Sequence, residues 1–183
     1  MCAPVGMIRN VVLPEDGQQI MALDRSFRTD HMYQIVRTGW SFSLENVPAD
    51  PPLQKDWPFS ERDVGEERPW EHGLVAEKAG TIVGFTAFTH RNWNRRTEIW
   101  HLYVDAALRG HGIGRALLEA VIAAARAAQT RCVWLESSTV AYPAIRFYQH
   151  MGFTLCGLDT SLYDAKGVLR AETALYFAYD LDA

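Results

Sequence analysis

The sequence contains no apolar run approaching the roughly 20 residues that a membrane-spanning helix needs. Its opening, MCAPVGMIRN, has no charged stretch leading into an apolar one, so no secretory leader is expected. Basic charge is not in excess: 18 Lys and Arg face 22 Asp and Glu, a net charge of −4. That balance, without a basic stripe, excludes a nucleic-acid partner, and the missing apolar run excludes a membrane partner. Cysteine is scarce. Cys2, Cys132 and Cys156 share no metal-ligand or disulfide spacing, so no metal is expected. Cys132 and Cys156 fall in apolar, strand-like segments and read as small buried hydrophobes of a protein kept in the reducing cytoplasm. Internal repeats and low-complexity tracts are missing too.

What is present suits one globular domain spanning 1–183, with 48% apolar and 22% charged residues. Acidic charge is concentrated between Glu45 and Glu71, where eight acidic residues meet three basic ones. Within it, 48–70 carries five prolines and reads as a loop, either simply solvated or funnelling a cationic substrate.

The periodicities are mostly clear. MIRNVVL alternates as a first strand, and Ile20, Leu23 and Phe27 share one helical face. HMYQIVR and WSFSLENV read as two strands around Thr38-Gly39, and a second hairpin turns at Ala79-Gly80. TEIWHLYVD is rich in aromatic and β-branched residues, as strands are. IGRALLEAVIAAARAAQ places Leu117, Leu118, Val121, Ile122 and Ala125 on one face of a helix. RCVWLES reads as a strand, YPAIRFYQHMGF as a helix with Pro143 at its start and Gly152 past its end, and TLCGL and ETALYFAYDL as strands. Strand and helix alternate through the second half, which predicts an α/β fold with at least one parallel pair.

ALRGHGIGRALL raises a question of chemistry. A turn needing positive φ is served by one or two glycines, yet three alternate at Gly110, Gly112 and Gly114. Where a helix begins, its first N–H groups lack intrahelical acceptors and the helix dipole favours negative charge. Bare backbone there suits a phosphate, with charge added by Arg109 and Arg115. A Walker A loop is excluded, because Arg115-Ala116 follows Gly114 where Lys-Ser/Thr is required. A dinucleotide fingerprint fails in both frames, at Arg115 and at Leu117, although Glu136 sits near the distance of a ribose-binding acid.

Arg109-x-x-Gly112-x-Gly114, between LYVD and a Leu-Leu helix, resembles the pyrophosphate-binding motif of the GNAT N-acetyltransferase superfamily. AIRFYQHMGF resembles that superfamily's second signature, Ala-x-x-Phe-Tyr followed closely by Gly-Phe. ALDRSFRTD, NVPADPPLQK, NWNRR, RGHGIGRAL, WLE and MGFTLCGLDTSLYD extend the resemblance to the streptothricin (nourseothricin) acetyltransferases over most of the chain. The resemblance implies a GNAT fold: a mixed, mostly antiparallel central sheet of about seven strands with a splayed parallel pair, flanked by helices. It implies acetyl-CoA as co-substrate and a small-molecule amine as acceptor, and it admits a homodimer. Trp100, His101 and Tyr103 stand where those relatives carry acidic residues, and Thr139 and Ala141 where they carry asparagines.

By that resemblance the cofactor lies on Leu102, Tyr103 and Val104 and on the loop Arg109, Gly110, His111, Gly112, Ile113, Gly114 and Arg115. Tyr148, the tyrosine of Phe-Tyr, protonates the departing thiolate. A free alkylamine is mostly protonated at pH 7, so a base is useful. Glu98 holds the place of a catalytic glutamate in histone-type relatives and ranks first, before Glu136 and His101. Strand alternation places Glu98 with Trp100, Leu102 and Val104, and His101 with Tyr103 on the opposite face. Trp100, His101 and Glu136 are the acceptor-binding candidates. Two alternatives remain: a peptide or protein amine as acceptor, and a non-catalytic domain that binds an acyl-CoA. The tryptophans Trp40, Trp57, Trp70, Trp93 and Trp100 are expected in scattered core and interface packing.

Overall fold

The computed structural model describes residues 7–164 and 172–182; Cys2 lies outside them. Nine strands and four α-helices follow in the order β1 (Met7–Asn10), α1 (Gly17–Met21), β2 (Phe27–Thr38), β3 (Ser41–Lys55), α2 (Glu61–Val64), β4 (His72–Lys78), β5 (Thr81–Arg91), β6 (Arg96–Val104), α3 (Ile113–Ala127), β7 (Cys132–Ser138), α4 (Tyr142–His150), β8 (Thr154–Asp159) and β9 (Ala174–Asp180) among the described residues. Seven strands form one sheet in the order β1-β4-β5-β6-β7-β9-β8, mostly antiparallel with β6 and β7 the parallel neighbours. β2 and β3 pair apart as a two-stranded sheet. The sheet type and strand number agree with the expected α/β architecture.

The chain divides into two compact units. The first takes the chain up to Ser26, then Asp56–Trp134 and the end from Asp180; the second takes Phe27–Lys55 and Leu135–Tyr179. In the first, β4, β5 and β6 are hydrophobic on both faces. One face packs Val75, Phe85 and Ala87 with Ile20, Leu23 and Trp70, and Phe59 and Tyr103 close against them. The other packs Ala76 and Val83 against Ile113 and Leu117 of α3, flanked by Leu102 and Val104. α3 buries Ile113, Leu117, Leu118, Val121, Ile122 and Ala125, the stripe that its spacing predicts. Gly84 fixes how closely α3 approaches: a Cβ there would lie 3.0 Å from both Ile113 Cγ2 and Leu117 Cδ1.

Four expectations need correction. Residues 48–55 are not loop but the second half of β3, paired with β2 through Lys55↔Phe27, Gln54↔Arg28 and Pro48↔His31. The register jumps from Leu53↔Thr29 to Pro48↔His31, so 49–52, with Pro51 and Pro52, bulge out of the ladder, where a missing N–H breaks no pairing. The first helix stops at Met21, and Phe27 begins β2 instead of joining the helical face. Cys132 is buried as expected, but Cys156 is exposed. Trp70 is a core residue at 4% exposure, while Trp40 and Trp93 are 99% and 84% exposed and pack in no core.

Candidate active site

In the first unit the glycine turn is welded to the chain before β2. The Arg109 guanidinium donates from Nε to Val104 O (3.0 Å), from Nη1 to Ser26 O (2.6 Å) and from Nη2 to Asp24 O (3.2 Å). Asp105 Oδ1 accepts from Ala107 N, and Ala106 N donates to Asp24 O. The charge that sequence reasoning assigned to a phosphate is therefore directed at three carbonyls of the chain itself. Arg109 braces the turn. Gly110 and Gly112 take φ of 81° and 84°, a left-handed conformation that a side chain would strain. Gly112 is the N-cap of α3 and supplies no capping side chain, so nothing from the cap shields the first-turn N–H groups. Gly114 lies inside α3 rather than in the turn. Ile113 is buried, which limits its contribution to its N–H. His111 and Arg115 are exposed at the rim; Arg115 Nη1 lies 3.6 Å from Glu119 Oε1.

β6 contains a bulge that sequence alternation could not register. Its pairing with β5 jumps from Ala87↔His101 to Phe88↔Ile99 and leaves Trp100 as an extra residue. One extra residue reverses the face of everything before it. Glu98 pairs with Thr89 and so shares the face of His101 and Tyr103, while Ile99 falls on the face of Leu102 and Val104. Trp100 is left 41% exposed, with Arg91 Cζ 5.9 Å from its ring centroid.

Glu98 does not look like a poised base. Its Oε2 accepts from Arg91 Nε and its Oε1 from Arg96 Nε, each at 2.8 Å. Burial pushes the carboxyl up, but the two arginines outweigh it and hold Glu98 below the usual carboxylate range. His101 is enclosed by Phe59 at 5.0 Å, Phe85 at 6.0 Å and Tyr103 at 5.7 Å between ring centroids. Neither ring nitrogen has exposed surface or a hydrogen-bond partner among the described residues. Burial drives its pKa down to about 4, against the pull of Asp63. His101 is thus a largely enclosed imidazole held neutral between Phe59, Phe85 and Tyr103.

The second unit brings together titratable groups that the sequence showed singly. Glu136 and Ser138 lie two apart on β7 and share a face. Tyr163 Oη donates to Glu136 Oε1 in a short contact. Glu172 Oε1 accepts from Ser138 Oγ at 2.7 Å and forms a close ion pair with Lys55 Nζ. Glu136 keeps exposed surface but is crowded by neighbours. The resulting loss of water raises its carboxyl above the usual range, although Tyr163 and Lys55 pull the other way. Tyr148, on α4, is 8% exposed, its ring 5.5 Å from Phe147, 6.0 Å from Phe153 and 6.2 Å from Phe177.

Sequence reasoning missed Tyr163, Glu172 and Lys55. The only signal was indirect: Tyr163 is the last residue but one of the MGFTLCGLDTSLYD segment, and Glu136 and Ser138 have the period of one strand face.

Comparison with known proteins agrees with this architecture. Residues 30–153 match the model of the Acetyltransferase (GNAT) family. The chain is 39% identical to a streptothricin acetyltransferase of Streptomyces lavendulae over 171 residues, 90% of each chain. It is 26% identical to a streptothricin acetyltransferase of Escherichia coli, across 91% of this chain and 92% of that one. The crystal structure of a nourseothricin acetyltransferase superposes with a TM-score of 0.84 at 40% identity, covering 95% of this chain and 97% of that one. The chain belongs to the GNAT acetyltransferase family. It is an acetyl-CoA-dependent N-acetyltransferase.

Proposed function

We propose that the chain moves an acetyl group from acetyl-CoA to a primary amine of a small, cationic, streptothricin-type acceptor, by direct transfer in a ternary complex, and that 1–183 works as one domain. The observation that carries the donor half is the cap-free N-terminus of α3 behind two left-handed glycines. A pyrophosphate fits it, since anions are favoured at bare helix N-termini. Gly110, Gly112, Ile113, Gly114 and Arg115 would hold that group through backbone N–H and the Arg115 charge, with His111 at the rim and Arg109 bracing the turn from behind. The backbone of Leu102, Tyr103 and Val104 would carry the pantetheine arm. Acetyl-CoA supplies an activated thioester; the chain's residues orient it and manage protons.

The acceptor half rests on the streptothricin acetyltransferases at 39% and 26% identity. An ammonium must lose a proton before it attacks, and an efficient base has a pKa near the working pH. Glu98 is held too acidic by its arginines, and His101 is enclosed and too weakly basic. Glu136 has the raised carboxyl and the exposed surface that the task requires, so it takes the role of acceptor anchor and base. Tyr148 gives its phenolic proton to the departing thiolate.

Initial-rate kinetics with acetyl-CoA and amine both varied test the reading. Intersecting double-reciprocal lines are expected. Parallel lines would show an acetyl-enzyme intermediate and end the direct-transfer reading.

A further inference from the structure

We propose that Tyr163 is the positioning residue of acceptor recognition: its hydroxyl holds one oxygen of Glu136 and aims the other at the acceptor's amine, while Glu172, neutralised by Lys55, completes the site. This rests on the acceptor role given to Glu136 above.

The second unit makes this platform rigid. Glu172 is tied to Ser138 by the Ser138 hydroxyl at 2.7 Å. Next to it, Thr173 N donates to Thr139 Oγ1 at 3.0 Å, and Thr139 N donates to Thr173 O at 3.0 Å. Tyr33 N of β2 donates to Thr139 O at 3.0 Å. β7 and the approach to β9 are therefore pinned where Glu136 projects. Lys55 forms its close ion pair with Glu172 and also draws Glu136 towards the carboxylate. Two carboxylates and one ammonium leave a net single negative charge, which suits an alkylammonium and disfavours an anionic acceptor. Tyr163 donates to Glu136 Oε1 and also meets the Ser138 hydroxyl. A carboxylate has two oxygens and about four acceptor sites, so a phenol on one oxygen fixes its plane without consuming its capacity.

The groups that set the ionisation of Glu136 come from every element around it. Tyr163 follows β8, Glu172 precedes β9 and Lys55 ends β3. Crowding and Glu172 favour the protonated acid; the Tyr163 hydrogen bond and Lys55 favour the carboxylate. Removing the phenol must therefore raise the Glu136 pKa. A side chain that only filled space would leave it unchanged.

The test is a 13C NMR titration of the Glu136 carboxyl in the full chain without ligands, in the wild type, Tyr163→Phe and Lys55→Met. Both variants are expected to titrate higher, Tyr163→Phe by about 0.5–1 pH unit. The acid limb of the kcat/KM profile for the amine should move with it, and kcat/KM at neutral pH should fall about 3- to 10-fold with KM for acetyl-CoA unchanged. In a Glu136→Gln background, Tyr163→Phe should cost nothing further. An unchanged titration in both variants, or an equal loss from Tyr163→Phe with Glu136 present and absent, overturns the proposal. If no amine is acetylated at all, the acceptor reading fails, and the titration still decides what Tyr163 does to Glu136.

Discussion

His101 Nε2 stands 3.7 Å from Asp63 Oδ1, too far for a hydrogen bond, inside an aromatic enclosure where neither ring nitrogen has a partner among the described residues. A buried imidazole in that state is stable only while neutral. Its pKa falls from 6.5 to about 4 in the folded chain, so the unfolded chain takes up the proton first on acidification. Stability contributed by the neutral form is complete above pH 6.5 and is lost as pH falls towards 4. Between pH 7 and pH 5 the expected loss from this residue is roughly 1–2 kcal/mol. His101→Leu should flatten that part of the curve, read from urea midpoints at the two pH values. An equally steep curve in the variant would assign the acid sensitivity elsewhere.

Glu98 is expected to matter for folding more than for chemistry. Glu98→Gln removes the charge between Arg91 and Arg96 and should cost about 1–2 kcal/mol of stability. Its kcat should stay within about 3-fold of the wild type, since a general base contributes at least about 100-fold. A 100-fold loss of kcat with intact folding would restore Glu98 as the base.

Gly112→Ala places a Cβ at φ of 84°, on the residue that caps α3. The left-handed conformation costs a non-glycine residue about 1–2 kcal/mol. Relief of that strain turns the first helical N–H groups, so KM for acetyl-CoA should rise about 10-fold or more while KM for the amine changes little. Matched changes in both constants would show a general loss of fold and not a donor site.

Tyr148→Phe keeps the ring contacts with Phe147, Phe153 and Phe177 and removes only the hydroxyl. Loss of a proton donor to the leaving thiolate predicts a fall in kcat of about 100-fold with little change in Tm. An unchanged kcat would remove Tyr148 from the chemistry.

Much of the fold was legible because burial imposes a period. The α3 stripe from Leu117 to Ala125 and the Ala79-Gly80 hairpin turn follow from side-chain spacing and turn chemistry alone. Features set by pairing were not. Prolines 48, 51 and 52 look like loop until β3 is known to bulge at 49–52 and to resume its pairing with β2 at Leu53. The Trp100 bulge leaves no trace in composition, yet it moves Glu98 to the other face of β6. The family was legible in Arg109-x-x-Gly112-x-Gly114 and AIRFYQHMGF, two motifs in order on one chain. The roles within the glycine turn were not: Arg109 meets carbonyls from Asp24 and Ser26, more than 80 positions away in sequence. The partnership of Glu136 with Tyr163, 27 positions downstream, is equally a product of tertiary packing.

The most direct measurement is release of CoA thiol from acetyl-CoA in the presence of streptothricin, beside polyamines, aminoglycosides and lysyl peptides. The account predicts amine-dependent release with streptothricin turned over most efficiently, and its near-complete loss in Glu136→Gln. Turnover of a lysyl peptide with none of streptothricin, or full activity in Glu136→Gln, would contradict it.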